Sequence, residues 1–64
     1  MCLSTVYLLK SEQEQELLCK NIASVLTDGD KLTFTNLMGV PTIIQGEISK
    51  IDLIDNCIYV HQNV

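Results

Sequence analysis

Cys2 stands next to the amino terminus, the one place where a thiol can share a metal ion with a free backbone amine. Methionine aminopeptidase is expected to remove Met1, because the cysteine side chain that follows is small. The mature chain then begins at Cys2, with an α-amine and a thiolate two carbons apart that close a five-membered ring on one ion. With Met1 retained, its amine, the deprotonated Cys2 amide and the Cys2 sulfur form two fused rings instead. Either donor set suits square-planar Ni(II) or Cu(II) better than tetrahedral Zn(II). Two such termini related by a twofold axis complete an N2S2 plane, with one metal per dimer. The competing reading is a terminal strand residue with an incidental thiol.

The remaining reactive side chains have plainer explanations. His61 is the only histidine and falls in a polar tail, "HQNV", where a solvated surface role is expected. A Cys57–His61 pair lacks a third group to orient the imidazole. Cys19 and Cys57 lie in the apolar segments "LLCKN" and "DNCIYV", where free cysteine behaves as a small hydrophobe. The sequence has no CxxC, so a zinc ribbon is not supported. Asp28 and Asp30 flank a turn glycine, and turn propensity accounts for them. Glu12, Glu14 and Glu16 read as a solvated acidic loop or strand edge. Nothing here assembles an enzyme active site.

Composition narrows the function classes further. The chain has 64 residues and a formal net charge of −4, with four lysines and no arginine. That balance lacks the cationic footprint of a nucleic-acid binder. No apolar run approaches the ~20 residues that span a bilayer, and no signal peptide is recognisable. A soluble, cytoplasmic protein with reduced thiols is expected. The chain allows a single domain, 1–64. Its 47% hydrophobic content is generous for so small a core, which suggests that some apolar side chains meet a second copy in a homodimer.

The elements that must position Cys2 are strands, because apolar residues alternate with period two along most of the chain. The first strand runs from Cys2 to Leu9 and is expected to be covered on both faces. "SEQEQ", Ser11 to Gln15, reads as a loop between two strands rather than a helical turn, since it has no apolar stripe to bury. Glu16 to Leu26 is read as strand two despite its mixed pattern, in which Leu17, Leu18, Ile22 and Val25 also fit a helix. Asp28-Gly29 supplies the hairpin, and Lys31 to Asn36 forms strand three with Leu32 and Phe34 inward. Gly39 and Pro41 punctuate "NLMGVPT", with Pro41 limited to a turn or an edge.

Strand four spans Thr42 to Leu53. Ile44, Gly46 and Ile48 keep one phase while Ile51 and Leu53 keep the other, which predicts a β-bulge near Ser49 or Lys50 and a bend at Gly46. After a turn at Asp55-Asn56, Cys57 to Val60 makes strand five with Ile58 and Val60 inward. These elements predict an all-β fold, a small barrel of five to seven strands, SH3-like or Sm-like, with an OB-like barrel as the alternative.

With these residues in view, the chain resembles the CooT family of small nickel-binding accessory proteins linked to carbon monoxide dehydrogenase maturation. The resemblance covers nearly the whole chain and rests on Met1-Cys2-Leu3, on "LMG" at Leu37 to Gly39, and on "GEISKIDL" at Gly46 to Leu53. It implies a homodimeric β-barrel that performs no turnover and binds one Ni(II) per dimer through Cys2, with Met1 or the new terminus supplying nitrogen. A nickel enzyme under maturation is the implied partner. "SEQEQ", Cys19 and Cys57 depart from the family's hallmarks without touching Cys2. The HypC-type hydrogenase maturation chaperones also begin with MC, but they continue with alanine, isoleucine and proline where this chain has Ser4-Thr5-Val6. A metal-independent protein-interaction barrel is the remaining alternative.

Overall fold

A computed structural model describes residues 3–63. Five strands follow one another: β1 (Ser4–Ser11), β2 (Glu14–Asp28), β3 (Lys31–Asn36), β4 (Pro41–Asp52) and β5 (Cys57–Gln62). They pair in chain order as a closed barrel. The ring is sealed by a parallel ladder between β1 and β5, from Thr5 opposite Cys57 to Leu8 opposite Val60; the other four pairings are antiparallel. Closure leaves no long unpaired edge, the standing hazard of a small β protein.

Alternation places one side-chain set inside. Val6, Leu8, Ile22, Leu32, Phe34, Ile44, Ile58 and Val60 form the core, and Phe34, Val6 and Val60 are completely enclosed. Leu18, Cys19 and Ile48 pack against that cluster from partly buried positions. The opposite face of β1 is only half covered at Thr5, Tyr7 and Leu9, so the expectation of a strand buried on both faces is corrected. Each large aliphatic side chain that the core encloses contributes about 1.5–3 kcal/mol.

The expected strands are all present, with shifted ends. "SEQEQ" is a loop only at Glu12 and Gln13; its flanks pair as strand. Lys31 to Asn36 is β3 as read, and Gly29 takes a positive φ of 62° at the head of the two-residue hairpin loop that precedes it. β2 is longer than its expected bounds, and three register shifts explain its mixed pattern. Val6 faces Cys19 while Tyr7 faces Leu17, Ser4 faces Ile22, and a further shift lies between Ile22 and Ser24. Each extra residue moves the inward phase by one position. The apparent helical spacing of Leu17, Leu18 and Ile22 is therefore a bulged strand turning a barrel corner. Asn21, at φ 60°, sits at that corner.

The predicted bulge in β4 lies between Ile48 and Lys50. It does not return Ile51 and Leu53 to the interior, however, and both are exposed. Gly46 marks the point where β4 leaves β3 and joins β5. The glycine is required by close approach: a Cβ there would run into the His61 carbonyl oxygen, and the Gly46 N–H donates to Asp30 O at 2.7 Å. His61 itself belongs to β5, opposite Glu47, and not to a loose tail.

Candidate metal centre

Met1 and Cys2, the proposed donors, lie outside the described residues. The structure does describe what they are attached to. Ser4 pairs with Ile22 on one side, and Thr5 pairs with Cys57 on the other while its N–H donates to Asn56 O at 2.9 Å. The start of β1 is thus held along both edges by hydrogen-bonded backbone.

Two turns flank that start. In the first, after β3, the Leu37 N–H donates to Asn21 O at 2.9 Å, Gly39 N–H to Asn36 O at 2.9 Å, and Asn36 N–H to Val40 O at 3.0 Å. The Asn36 side-chain oxygen also accepts from the N–H groups of Met38 and Val40, and Gly39 takes φ 85°. In the second, after β4, Asp52 Oδ1 accepts from the N–H groups of Ile54 and Asp55 at 3.0 Å each. Asn56 closes it at φ 55°. Asn and Asp side chains here substitute for backbone acceptors, which is why they lead these turns.

Cys57 is the thiol placed beside the start of β1. It is half-buried, free, and lies across from Thr5, with its Sγ 3.5 Å from Asp55 O. The Cys57–His61 pair does not form: four residues apart along one strand, the two are separated by about 13 Å. Cys19 packs against the core as a small hydrophobe. Burial pushes its thiol up from the ordinary value of 9.0, with a Thr42 hydrogen bond acting in the opposite sense.

No group of three or more His, Cys, Asp and Glu side chains suited to a metal ion occurs among the described residues. That includes Asp28 and Asp30; Asp30 instead accepts a hydrogen bond from Asn63 Nδ2 at 3.4 Å, in keeping with the turn reading. The chemistry of the terminal amine and thiolate fits a square-planar ion without help from such a cluster.

Beside Cys57, the outer face of β1 and β5 carries Tyr7 and Tyr59 stacked 5.7 Å apart, with Lys50 Nζ 5.8 Å from the Tyr59 ring centre. Partial desolvation, with Cys57 and Asp52 nearby, raises the Tyr59 hydroxyl above the usual tyrosine range. At the other end of the β1–β5 seam, beyond the last paired residues, a cleft of about 290 Å³ is lined by Leu8, Leu9, Lys10, His61 and Gln62. Lys10 is engaged there by Glu16 at 3.2 Å. No helix among the described residues is long and apolar enough to cross a membrane.

The sequence matches the family described as CO dehydrogenase accessory protein CooT over residues 1–61. The barrel is similar to the crystal structure of a chain assigned as CooT from Carboxydothermus hydrogenoformans, at a TM-score of 0.87 and 17% identity, covering 98% of this chain and 100% of that one. At that identity the structural likeness establishes the fold. No curated protein matches the sequence.

Proposed function

The chain belongs to the CooT family of CO dehydrogenase accessory proteins, which are not enzymes, and from that premise we propose that it carries Ni(II) on Cys2 to a nickel enzyme under maturation. The ion is cargo. It is held by the Cys2 thiolate and by backbone nitrogen, from the new terminus if Met1 is removed or from Met1 and the Cys2 amide if it is kept. Two chains, each giving the Cys2 sulfur and one of these nitrogens, supply the four donors of a square plane, so the working unit is a cytoplasmic homodimer with one nickel.

The observation that carries this reading is the anchoring of Ser4 and Thr5 along both edges of β1. A three-residue terminus that precedes a fixed strand has less freedom to lose on closing on an ion than a longer free tail, and preorganisation of this kind raises affinity by lowering the ordering cost. The protein's own part is to hold a thiolate and an amine together; both must lose protons to bind, so acid releases the ion.

Titration with Ni(II) tests the proposal. The wild-type chain is expected to take up one equivalent per two chains, with a thiolate-to-nickel charge-transfer absorption that disappears in Cys2→Ser and fades as pH falls. Full affinity in Cys2→Ser would sink the assignment. The second reading, a metal-independent interaction barrel, draws support from the exposed apolar turns. Failure of the wild-type chain to bind nickel, together with retention of a protein partner, would favour it.

A further inference from the structure

Among the described residues other than glycine, two take a positive φ: Asn21 at 60° and Asn56 at 55°. Both lie beside the start of β1, one on each edge. Asn21 precedes Ile22, the residue at which β2 passes from Ser4 of β1 to Asn36 of β3, and its carbonyl accepts the Leu37 N–H at 2.9 Å. Asn56 precedes Cys57, which pairs with Thr5, and its carbonyl accepts the Thr5 N–H at 2.9 Å. Where the hairpin at the other end of β3 needs the same conformation, the chain places Gly29 at φ 62°. We infer that Asn21 and Asn56 are positioning residues for the metal end, whose left-handed backbone holds the start of β1 in the setting from which the terminus closes on nickel.

In the left-handed region Cβ crowds the following carbonyl oxygen, a clash that asparagine tolerates better than most residues and glycine escapes. Such conformations persist only where the surrounding structure imposes them, and they gather where function needs a fixed geometry. Each does something here that a regular strand cannot. At Asn21 β2 bends, so that its first half serves β1 and its second half β3. At Asn56 the chain leaves the β4–β5 connection and offers its carbonyl to β1 just as the parallel ladder begins. Asparagine reaches this conformation with less backbone freedom to lose than glycine has.

Alanine at either position can respond in two ways. Held in place, it lowers the stability of the whole fold and leaves nickel affinity alone. Relaxed, it lets the strand start go; closing on the ion must then restore the strained backbone, and apparent affinity falls with the fraction of molecules still competent. Ser4 and Thr5 are the outermost pairs of their ladders, and ladder ends open more readily than their middles. The second course is therefore expected.

This inference rests on the nickel reading for its ligand, and its test separates the two. Ni(II) titration of folded Asn21→Ala and Asn56→Ala, with folding checked by circular dichroism, is expected to give dissociation constants about 5- to 30-fold above wild type. A variant that is not folded in buffer is titrated in sucrose, which strengthens burial. Asn21→Gly and Asn56→Gly admit the same φ and are expected to stay within about twofold of wild type. Gly29→Ala is the control: its added Cβ meets nothing within 4 Å, so it strains the backbone at the other end of β3, lowering urea stability and leaving nickel affinity unchanged. In metal-free protein the Thr5 amide should exchange faster in Asn56→Ala, and the Leu37 amide in Asn21→Ala, than in wild type or the glycine variants. Wild-type affinity in both folded alanine variants overturns the inference, as does an equal loss in the glycine variants or in Gly29→Ala. A wild-type chain that takes up no nickel sinks the metal reading, and the Thr5 and Leu37 amides then decide alone whether the two asparagines hold the strand.

Discussion

Two groups of apolar side chains have opposite surroundings in this barrel. The inward-facing ones of the strands, such as Phe34, Val6 and Val60, are fully enclosed, whereas those of the turns after β3 and β4 stand in water, as do Leu26, Ile43 and Ile51 on the outer strand faces. The remaining two turns, Ser11–Glu14 and Asp28–Lys31, are polar throughout, so apolar turn tips are not a demand of the barrel. The first group holds the chain together, and the second is available for contact with something else.

Truncation should separate the groups most sharply. Phe34→Ala removes a ring with no room to collapse and is expected to cost about 3–5 kcal/mol. Leu53→Ala, made on an exposed turn, should change stability by less than about 0.5 kcal/mol. Urea unfolding in dilute protein, where association contributes nothing, measures both. Comparable losses would mean that the turn side chains belong to the core after all.

A smaller effect is expected from the frame that presents the turn. Asn36→Ala deletes the acceptor of two backbone N–H groups, and at ~0.5–1.5 kcal/mol per hydrogen bond the loss is modest because exposed donors can turn to water. Amide exchange at Met38 and Val40 should accelerate while that of the β-ladder does not. Unchanged exchange at those two amides would show that the turn is held by backbone bonds alone.

The least perturbing probe is pH. Cys19 packs against the enclosed group from a partly buried position, and its folded thiol holds its proton more tightly than in the unfolded chain. The stability linked to that proton is complete below the unfolded thiol value of 9.0 and declines as pH rises through the higher folded value. Alkylation of Cys19 at pH 8 should accordingly be slower in the folded chain than in the urea-unfolded chain. Equal rates would place Cys19 outside the protected interior.

The same division explains what the sequence made legible. β3 could be read residue by residue because a glycine hairpin bounds it and Leu32 and Phe34 alternate cleanly with threonine and lysine. β2 could be recognised but not phased, since three register shifts break the period on which such reading depends. Ile51 and Leu53 were expected to follow the bulge inward and instead face solvent, because apolar identity does not say which neighbour covers a side chain. Cys2 is proposed from its chemical address alone, since it lies outside the described residues. Gly39 reads as punctuation in "NLMGVPT" and "LMG" as a family mark; what sets this turn apart is three exposed apolar residues, Leu37, Met38 and Val40, where polar ones are usual.

The parallel ladder that closes the ring has a temporal meaning. Thr5 to Leu8 pairs with Cys57 to Val60, so β1, which can pair locally with β2, gains its second partner only when β5 docks. Hairpins β2–β3 and β3–β4 can form from local contacts, but sealing is non-local and therefore slow. Thr5 cannot bond to Asn56 until β5 docks, so the second edge of β1 is set only when the fold is all but finished.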